Sequence, residues 1–513
     1  MGVWRLAAML ACCALAPAAL SPAALAQDAT LTARDGGLVL TGDLLGYDGE
    51  VYRLSTRYGL LTVNAAGVIC DGPACPSLTA PLTVIRVTGA VEPGMAMLPG
   101  LFAAFAASRG LAYGQTPAAE GFSAEISDPV AGEVLARIAF APLPVGPAAE
   151  ALAGGQADLS VAPLPSDGAR VLALEALLPI VAADNPVAQV RSADLARALS
   201  GEVTNWQDLG GPDMPVVLHA LAPGVALQAA VEARLGRSLP QAVVHPDPAT
   251  LAAAVARDPW ALALTGTSAV GPARVLPLTD SCDFLLPVTP MSVKSEDYPL
   301  AVPVYLAVPK RRLPLLTREF LEFLATDAAQ DEVRAAGYID RRPARAPLVE
   351  DGRRLLGAIR SAGAEVSLEE LQRLAAAMAG AERLSLTFRF EDGSTRLDAG
   401  SADALADLAR LIGARSFDGY RLVLAGFSDG SGAAKANLDL SRTRAEAVRS
   451  ALAKIAPDLA EAELPAVEAF GEALPMACDT TAVGRRINRR VELWLEPLSD
   501  WDGPRPPDVV DPL

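Results

Sequence analysis

Asp429 and Arg444 lie fifteen residues apart in the stretch AGFSDGSGAAKANLDLSRTRAEAV, residues 425–448, the acid in a glycine-rich turn and the base inside an evident helix. Within that helix Leu438, Ser441, Ala445, Val448, Leu452 and Ile455 follow a 3, 4, 3, 4, 3 spacing, which marks the buried face. Arg444 lies beside this stripe rather than opposite it. It stands seven residues after Asn437, or roughly 10 Å along the helix axis, a height to which the Gly-Ser-Gly turn carrying Asp429 can fold back. An acid and a base are then held side by side at the mouth of a groove. Alone, such a pair is ordinarily a salt bridge or two solvated charges, so its surroundings decide what it means.

Those surroundings, residues 381–497, run as the strand LSLTFRFE, the helix DAGSADALADLARLIGA, the strand YRLVLAG, the helix ANLDLSRTRAEAVRSALAKI, and the strands AVEAFGE and NRRVELWLEP. In the last strand Arg490, Glu492 and Trp494 alternate with Val491, Leu493 and Leu495. The alternation puts Arg490 on the less buried face, within reach of the site, and turns Arg489 away as a structural residue. Asn437 precedes the apolar stripe and reads equally as a helix cap or as a ligand contact.

The Asp turn, the Asn-x-x-Leu-Ser-x-x-Arg-Ala helix and the closing Asn-Arg-Arg-Val-Glu strand together closely resemble the OmpA-like peptidoglycan-binding domain, over nearly all of this segment. The resemblance implies an α/β domain with a mixed sheet. It also implies that the positions matching Asp429 and Arg444 bind the diaminopimelate residue of the peptide stem, and that Asn437, Asn488 and Arg490 match the remaining family positions. The chemistry is consistent, because diaminopimelate carries an ammonium for the carboxylate and a carboxylate for the guanidinium on one zwitterionic unit. Ser428 stands where the family often has Thr.

Ahead of this domain, residues 81–340 read strand, turn, helix: LTVIRVTGAV then PGLFAAFAASRG, VVLHALA then GVALQAAVEARLG, WALALTG and so on. That alternation implies a mostly parallel sheet with helices on both faces, long enough for two lobes around a cleft. The segments GGQADLSVAPLP, ALLPIVAADNPVAQVRSADLARALSGEVTNWQDLGGPDMPVVLHA, YPLAVPVYLAV and FLEFLATDAAQDEVRAAGYI resemble, in order, those of phosphate-type periplasmic solute-binding proteins of ABC transporters. The resemblance implies two hinged lobes, a small anionic solute such as phosphate and an ABC permease as partner.

The ligand does not carry over with the fold. Phosphate in that family is gripped by a Ser/Thr-rich turn after the first strand and by a Ser-Gly-Thr turn opening a helix of the second lobe. Here the first turn is TGAVEPGM, which keeps Thr88 and Gly89 but adds Glu92, and the second is LAPGVALQ, with no hydroxyl. Thr88, Gly89, Asp158, Asp184 and Asn185 are the candidate solute-binding residues at strand or turn ends; each also reads as a residue satisfying local backbone. Two expectations follow: a wall-tethered ligand receptor, or a wall-anchored scaffold whose solute-binding domain has lost its ligand.

The rest of the chain sets the compartment. MGVWRLAAMLACCALAPAALSPAALAQ reads as a signal peptide cleaved after Ala26. A lipoprotein start on Cys12 or Cys13 fits less well, because only about six apolar residues precede Cys12, fewer than the ~7–15 of a usual signal core. No later apolar run is expected to span a membrane, since Pro, Gly or charge interrupts each one. The formal charge is −17, or −18 once Arg5 leaves with the signal, which argues against nucleic acid as a partner. Residues 27–80 read as a small β-rich module, 341–380 as a linker and helix, and 498–513 as a disordered acidic tail. CDGPAC brackets a turn, so Cys70 and Cys75 are expected to close a disulfide in an oxidising compartment. Cys282 and Cys478 are either free thiols or an interdomain bridge. Two distant histidines, His219 and His245, with no ligand spacing, imply no metal, no cofactor and no catalysis. The whole reads as a multidomain, mainly α/β envelope protein, periplasmic and close to the outer membrane of a Gram-negative bacterium.

Overall fold

The computed structural model describes residues 29–33, 37–47, 51–75, 82–166, 168–347, 352–361, 366–391 and 394–498. The stretch read as a signal peptide, with Cys12 and Cys13, and nearly all of the acidic tail lie outside the described residues. The chain divides into two compact units, one reaching to Pro81 and including Pro314–Glu319, the other formed by Leu82–Leu313 and everything from Phe320 onward.

The first unit is an antiparallel sheet of five strands in the order Gly59–Asn64, Val51–Thr56, Val39–Tyr47, Ala29–Ala33, Val68–Asp71. Period-two alternation buries Leu44, Tyr52 and Leu54 over Ala29, Leu31 and Val68. Cys70 and Cys75 are joined in a disulfide.

In the second unit a long sheet runs in the order Val243–His245, Val217–Leu221, Ala261–Gly266, Arg170–Val181, Ala301–Ala307, Leu159–Ala162, Thr83–Gly89, Val134–Pro142, Phe122–Ser127, Ala112–Pro117. Arg170–Val181 belongs to two halves at once. Residues 170–176 pair with Ala301–Ala307, and residues 177–180 pair with Ala261–Gly266. Each half is a lobe. The first has the parallel strands Thr83–Gly89, Val134–Pro142 and Leu159–Ala162; the second packs Leu177, Val190, Leu195, Trp206, Leu262, Tyr298 and Val302 into one core. The sheet is mixed rather than mostly parallel, because Arg170–Val181 and Ala301–Ala307 both run against their neighbours.

One helix among the described residues, Val91–Ser108, is long and apolar enough to cross a membrane, with mean hydropathy 1.2 over 18 residues. The expectation that every such run is broken is corrected here: Glu92, Gly94 and Pro99 all lie inside the helix without ending it. Its apolar side, Met97, Leu98, Leu101, Phe102 and Phe105, is buried in the protein.

The C-terminal sheet runs Arg345–Pro347, Glu382–Arg389, Arg490–Pro497, Tyr420–Phe427, Ala466–Ala469, antiparallel except for the last pair. The helices Ala399–Gly413 and Ala434–Ile455 cover one face, burying Leu405, Leu408, Ala445, Val448 and Leu452 against Leu384, Leu424, Val491, Leu493 and Leu495. The other face is covered as well. Helices Gly352–Ser361 and Leu368–Met378 place Ala358, Leu374 and Met378 over Val423, Phe427 and Trp494. The segment read as a linker therefore contributes an edge strand and two helices, the second opened by a Ser367/Glu370 capping box.

Candidate functional site

Asp429 follows the end of strand Tyr420–Phe427. Its Oδ1 accepts from the backbone N–H of Ser431 at 3.0 Å, an Asx turn, and its Oδ2 accepts from Arg489 Nη1 at 2.9 Å. Burial alone would raise this carboxyl, but the hydrogen bonds from Arg489 and Ser431 outweigh it and hold the group below the ordinary carboxylate range. The turn itself is held from below. Gly430 donates its N–H to Asp479 Oδ2 at 2.7 Å, and Asn488 Nδ2 donates to Asp479 Oδ1 at 2.7 Å.

Arg444 sits in the middle of helix Ala434–Ile455, 3% exposed, with its guanidinium carbon 5.5 Å from the centre of the Phe390 ring. Its Nε and Nη1 are buried and have no hydrogen-bond partner. Burial first, then the charge of Arg489, lower its proton affinity, and Asp429 offsets part of this. Ser428, the residue before the acid, is also buried with an unpartnered hydroxyl. Leaving a buried charged donor unsatisfied costs more than the ~1–3 kcal/mol of a neutral one, so the fold retains here a cation that nothing in the described chain neutralises by contact. A carboxylate with a nearby ammonium matches Arg444 and Asp429 together.

The other expected site residues divide. Asn437 is not the helix cap, because the helix begins at Ala434; it is buried in the first turn and donates to Glu472 Oε2 at 2.6 Å. Asn488 is fully buried, with its oxygen accepting from the N–H groups of Met476 and Ala477. It braces the loop that carries Asp479. Arg490 is overturned as a residue on an open face: it is fully buried, donates to Glu492 Oε1 at 2.7 Å and lies 4.3 Å over Phe427. Arg489, expected to point away, is the arginine on Asp429. The cause is the second layer of helices, which covers the face the alternation had left open, while a short helix, Ala482–Asn488, ends just before Arg489. Of the helical stripe, Ile455 is 50% exposed and Arg444 takes a place among the buried residues. The signal for Arg489 was present in the Asn-Arg-Arg tripeptide; the strand's starting residue, which decides between the two arginines, was not.

In the two-lobed region Thr88, Asp158 and Asn185 are internally satisfied. Thr88 donates to the carbonyl of Ala141 at 2.8 Å. Gly89 has φ +119°, and a Cβ there would stand 2.0 Å from Val161 O, so only glycine fits. Asp158 accepts from the N–H, Nε and Nη2 of Arg86 and from Arg311. Asn185 bonds Pro259 O and the N–H of Val187, and Asp184 is exposed. Helix Val91–Ser108 and helix Ala226–Leu235 both start without a capping side chain. Glu92 occupies the first turn of the former, its carboxyl raised by burial and by the charge of Asp247. The hydroxyls of Thr267 and Ser268 are taken by Glu175, which is 4% exposed. His219 and His245 are not apart, as their numbers suggest: adjacent parallel strands stack them with Nδ1 and Nε2 2.9 Å apart. Among the described residues no group of three or more His, Cys, Asp or Glu is placed to hold a metal ion.

Comparison with known proteins adds the families. Residues 389–489 match the OmpA family, and residues 148–328 match a PBP superfamily domain. The chain is 31% identical over 109 residues to the probable lipoprotein YiaD of Escherichia coli K12, covering 21% of this chain and 48% of that protein, so it spans about half the length of that relative. Among solved structures it is similar to an ABC-type phosphate transport receptor from Vibrio cholerae (16% identity, 50% of this chain and 99% of that one, TM-score 0.39) and to PstS from Borrelia burgdorferi (13% identity, 50% and 98%, TM-score 0.35).

Proposed function

We propose, for a chain that carries an OmpA family domain behind a PBP superfamily domain, that it attaches non-covalently to peptidoglycan in the periplasm, near the outer membrane, by gripping the diaminopimelate of the peptide stem. The observation that carries this reading is Arg444, a buried guanidinium with two unpartnered nitrogens beside an ionised Asp429. The stem's carboxylate takes the fork of Arg444, and its ammonium shares Asp429 with Arg489. Both matched families are binding and anchoring families, which supports binding as the role of this site. The test is sedimentation with isolated sacculi. The wild-type protein is expected in the pellet and to be released by the tripeptide L-Ala-D-Glu-meso-diaminopimelate, whereas folded Asp429→Ala stays in the supernatant. Wild-type protein that remains soluble would refute the reading.

For the two-lobed domain we propose a scaffold or interaction module that has lost phosphate, in preference to a phosphate receptor in ABC-type uptake. The observation favouring it is the self-satisfaction of its anion positions: Glu92 in the first helical turn, no hydroxyl at 222–227, and Glu175 on Thr267 and Ser268. A carboxylate repels phosphate, and the missing donors leave its oxygens unpaired. A receptor at a hundredfold excess of ligand over Kd gains about 2.7 kcal/mol. Phosphate is expected to leave the melting temperature of this protein unchanged, as read by thermal shift; a clear rise would restore the receptor reading.

A further inference from the structure

The loop and short helix that hold the wall site, residues 476–489, are fastened to the second lobe of the PBP domain at two separate places. At the first, Cys282 and Cys478 form a disulfide across 196 residues of chain. Asp280 Oδ2 accepts from the N–H of Cys478, while its Oδ1 accepts from the N–H groups of Cys282 and Phe284, and Ser281 Oγ lies 2.8 Å from Thr480 Oγ1. The next residue after Cys478 is Asp479, which takes the Gly430 N–H and so sets the turn of Asp429.

At the second place, Asp297 of the lobe accepts from Arg389 Nη2 at 3.0 Å and from Arg383 Nη2 at 2.7 Å. Arg389 also donates to the carbonyls of Ser295 and Ile487, at 3.0 and 2.8 Å. It thereby ties the lobe to the end of the short helix just ahead of Asn488 and Arg489. The residue after Arg389 is Phe390, whose ring lies under Arg444. Asp429 and Arg489 thus have short covalent or hydrogen-bonded routes into the other domain, and Arg444 meets one through the ring of Phe390.

We infer that the second lobe of the PBP domain is part of the wall site, with Asp280, Cys282 and Asp297 as positioning residues for Asp429, Arg489 and Arg444. This rests on the peptidoglycan reading for its ligand, but the geometry it asserts does not. The physical reason is preorganisation. A charged pair reads a ligand only if its turn and helix are already fixed. The contacts of Asp280, Cys282 and Asp297 contribute to that fixing from the other domain.

The test uses the full-length mature chain with Asp280→Ala and, separately, Cys282→Ser combined with Cys478→Ser, each checked for folding by circular dichroism. Binding of the tripeptide L-Ala-D-Glu-meso-diaminopimelate is measured by calorimetry, and hydrogen exchange is followed in the peptide spanning Gly430 and in strand Tyr420–Phe427. Tripeptide binding is expected to weaken at least about threefold, within the roughly two- to thirtyfold range of ordinary coupling between sites. The Gly430 peptide should exchange faster while the strand keeps its protection, a pattern that general destabilisation does not give. Wild-type affinity in both folded variants would overturn the inference, as would weaker binding with Gly430 exchange unchanged. If the wild-type protein itself ignores the tripeptide, the wall reading falls and the exchange alone decides: faster exchange at Gly430 sustains the positioning role, and unchanged exchange removes it.

Discussion

Arg444→Leu is expected to abolish binding to sacculi and, at the same time, to raise the stability of the folded protein. The two effects have one cause. The guanidinium is buried with Nε and Nη1 unpartnered, over the face of Phe390, and its charge is opposed by burial and by Arg489. Without ligand this is a cost to the fold; an apolar side chain removes the unsatisfied donors. Relief of one or two unsatisfied buried donors is worth about 1–3 kcal/mol each before losses in packing, so a gain of roughly 1 kcal/mol or more is the expected result in urea unfolding. Arg444→Lys keeps the charge but not the fork, and is expected to bind weakly. A drop in stability for Arg444→Leu would show that the guanidinium is already satisfied in the free protein. Binding by that variant would remove Arg444 from the site.

The second large effect is expected at Glu492. Its carboxylate, fully buried, meets Arg490, Arg354 and Arg383 and accepts from Trp494 Nε1 at 2.9 Å. With Asp297, it faces four guanidiniums, those of Arg354, Arg383, Arg389 and Arg490. The excess positive charge is taken up by carbonyls: Arg490 donates to Leu474 O and Asn488 O, and Arg389 to Ser295 O and Ile487 O. Burial pushes the Arg490 proton affinity down to about 10, and the removal of Glu492 would leave that charge unpaired. Breaking one partner of a buried ion pair typically costs about 3–5 kcal/mol. Glu492→Gln is therefore expected to lose about that much in urea unfolding, read as a lower midpoint at constant slope. By contrast, Glu125→Gln breaks only the exposed pair with Arg137 and is expected to cost no more than ~1 kcal/mol. Glu492→Gln within ~1 kcal/mol of wild type would mean the network adds no stability.

The same groups fix the sign of the pH dependence. Burial raises Asp297 and Glu492, but the surrounding arginines overcome it, so both titrate below their ordinary values in the folded protein; Asp429 is depressed for the same kind of reason. A depressed carboxyl binds its proton more readily in the unfolded chain. Its contribution is thus complete above the unfolded value, near pH 4, and is lost as pH falls through the lower folded value. These three carboxylates contribute fully at neutral pH, and their contribution is lost in acid, below about pH 4.

What the sequence determined by itself is local. The α/β alternation, the apolar spacing from Ser441 to Leu452 and the CDGPAC loop each depend on a few neighbouring residues, and the chain's own geometry carries such signals. Tertiary structure decided whatever depends on what covers a surface. Arg490 rather than Arg489 is buried because helices Gly352–Ser361 and Leu368–Met378 close the second face of the sheet, which no alternation within one strand can announce. His219 meets His245, Cys282 meets Cys478, and Asp297 meets Arg389 for the same reason: their partners lie from 26 to 196 residues away and are brought near only by packing. Burial then sets the price of each charge, and so separates Arg383, Arg389 and Arg490, which are paired, from Arg444, which among the described buried arginines has no ion pair.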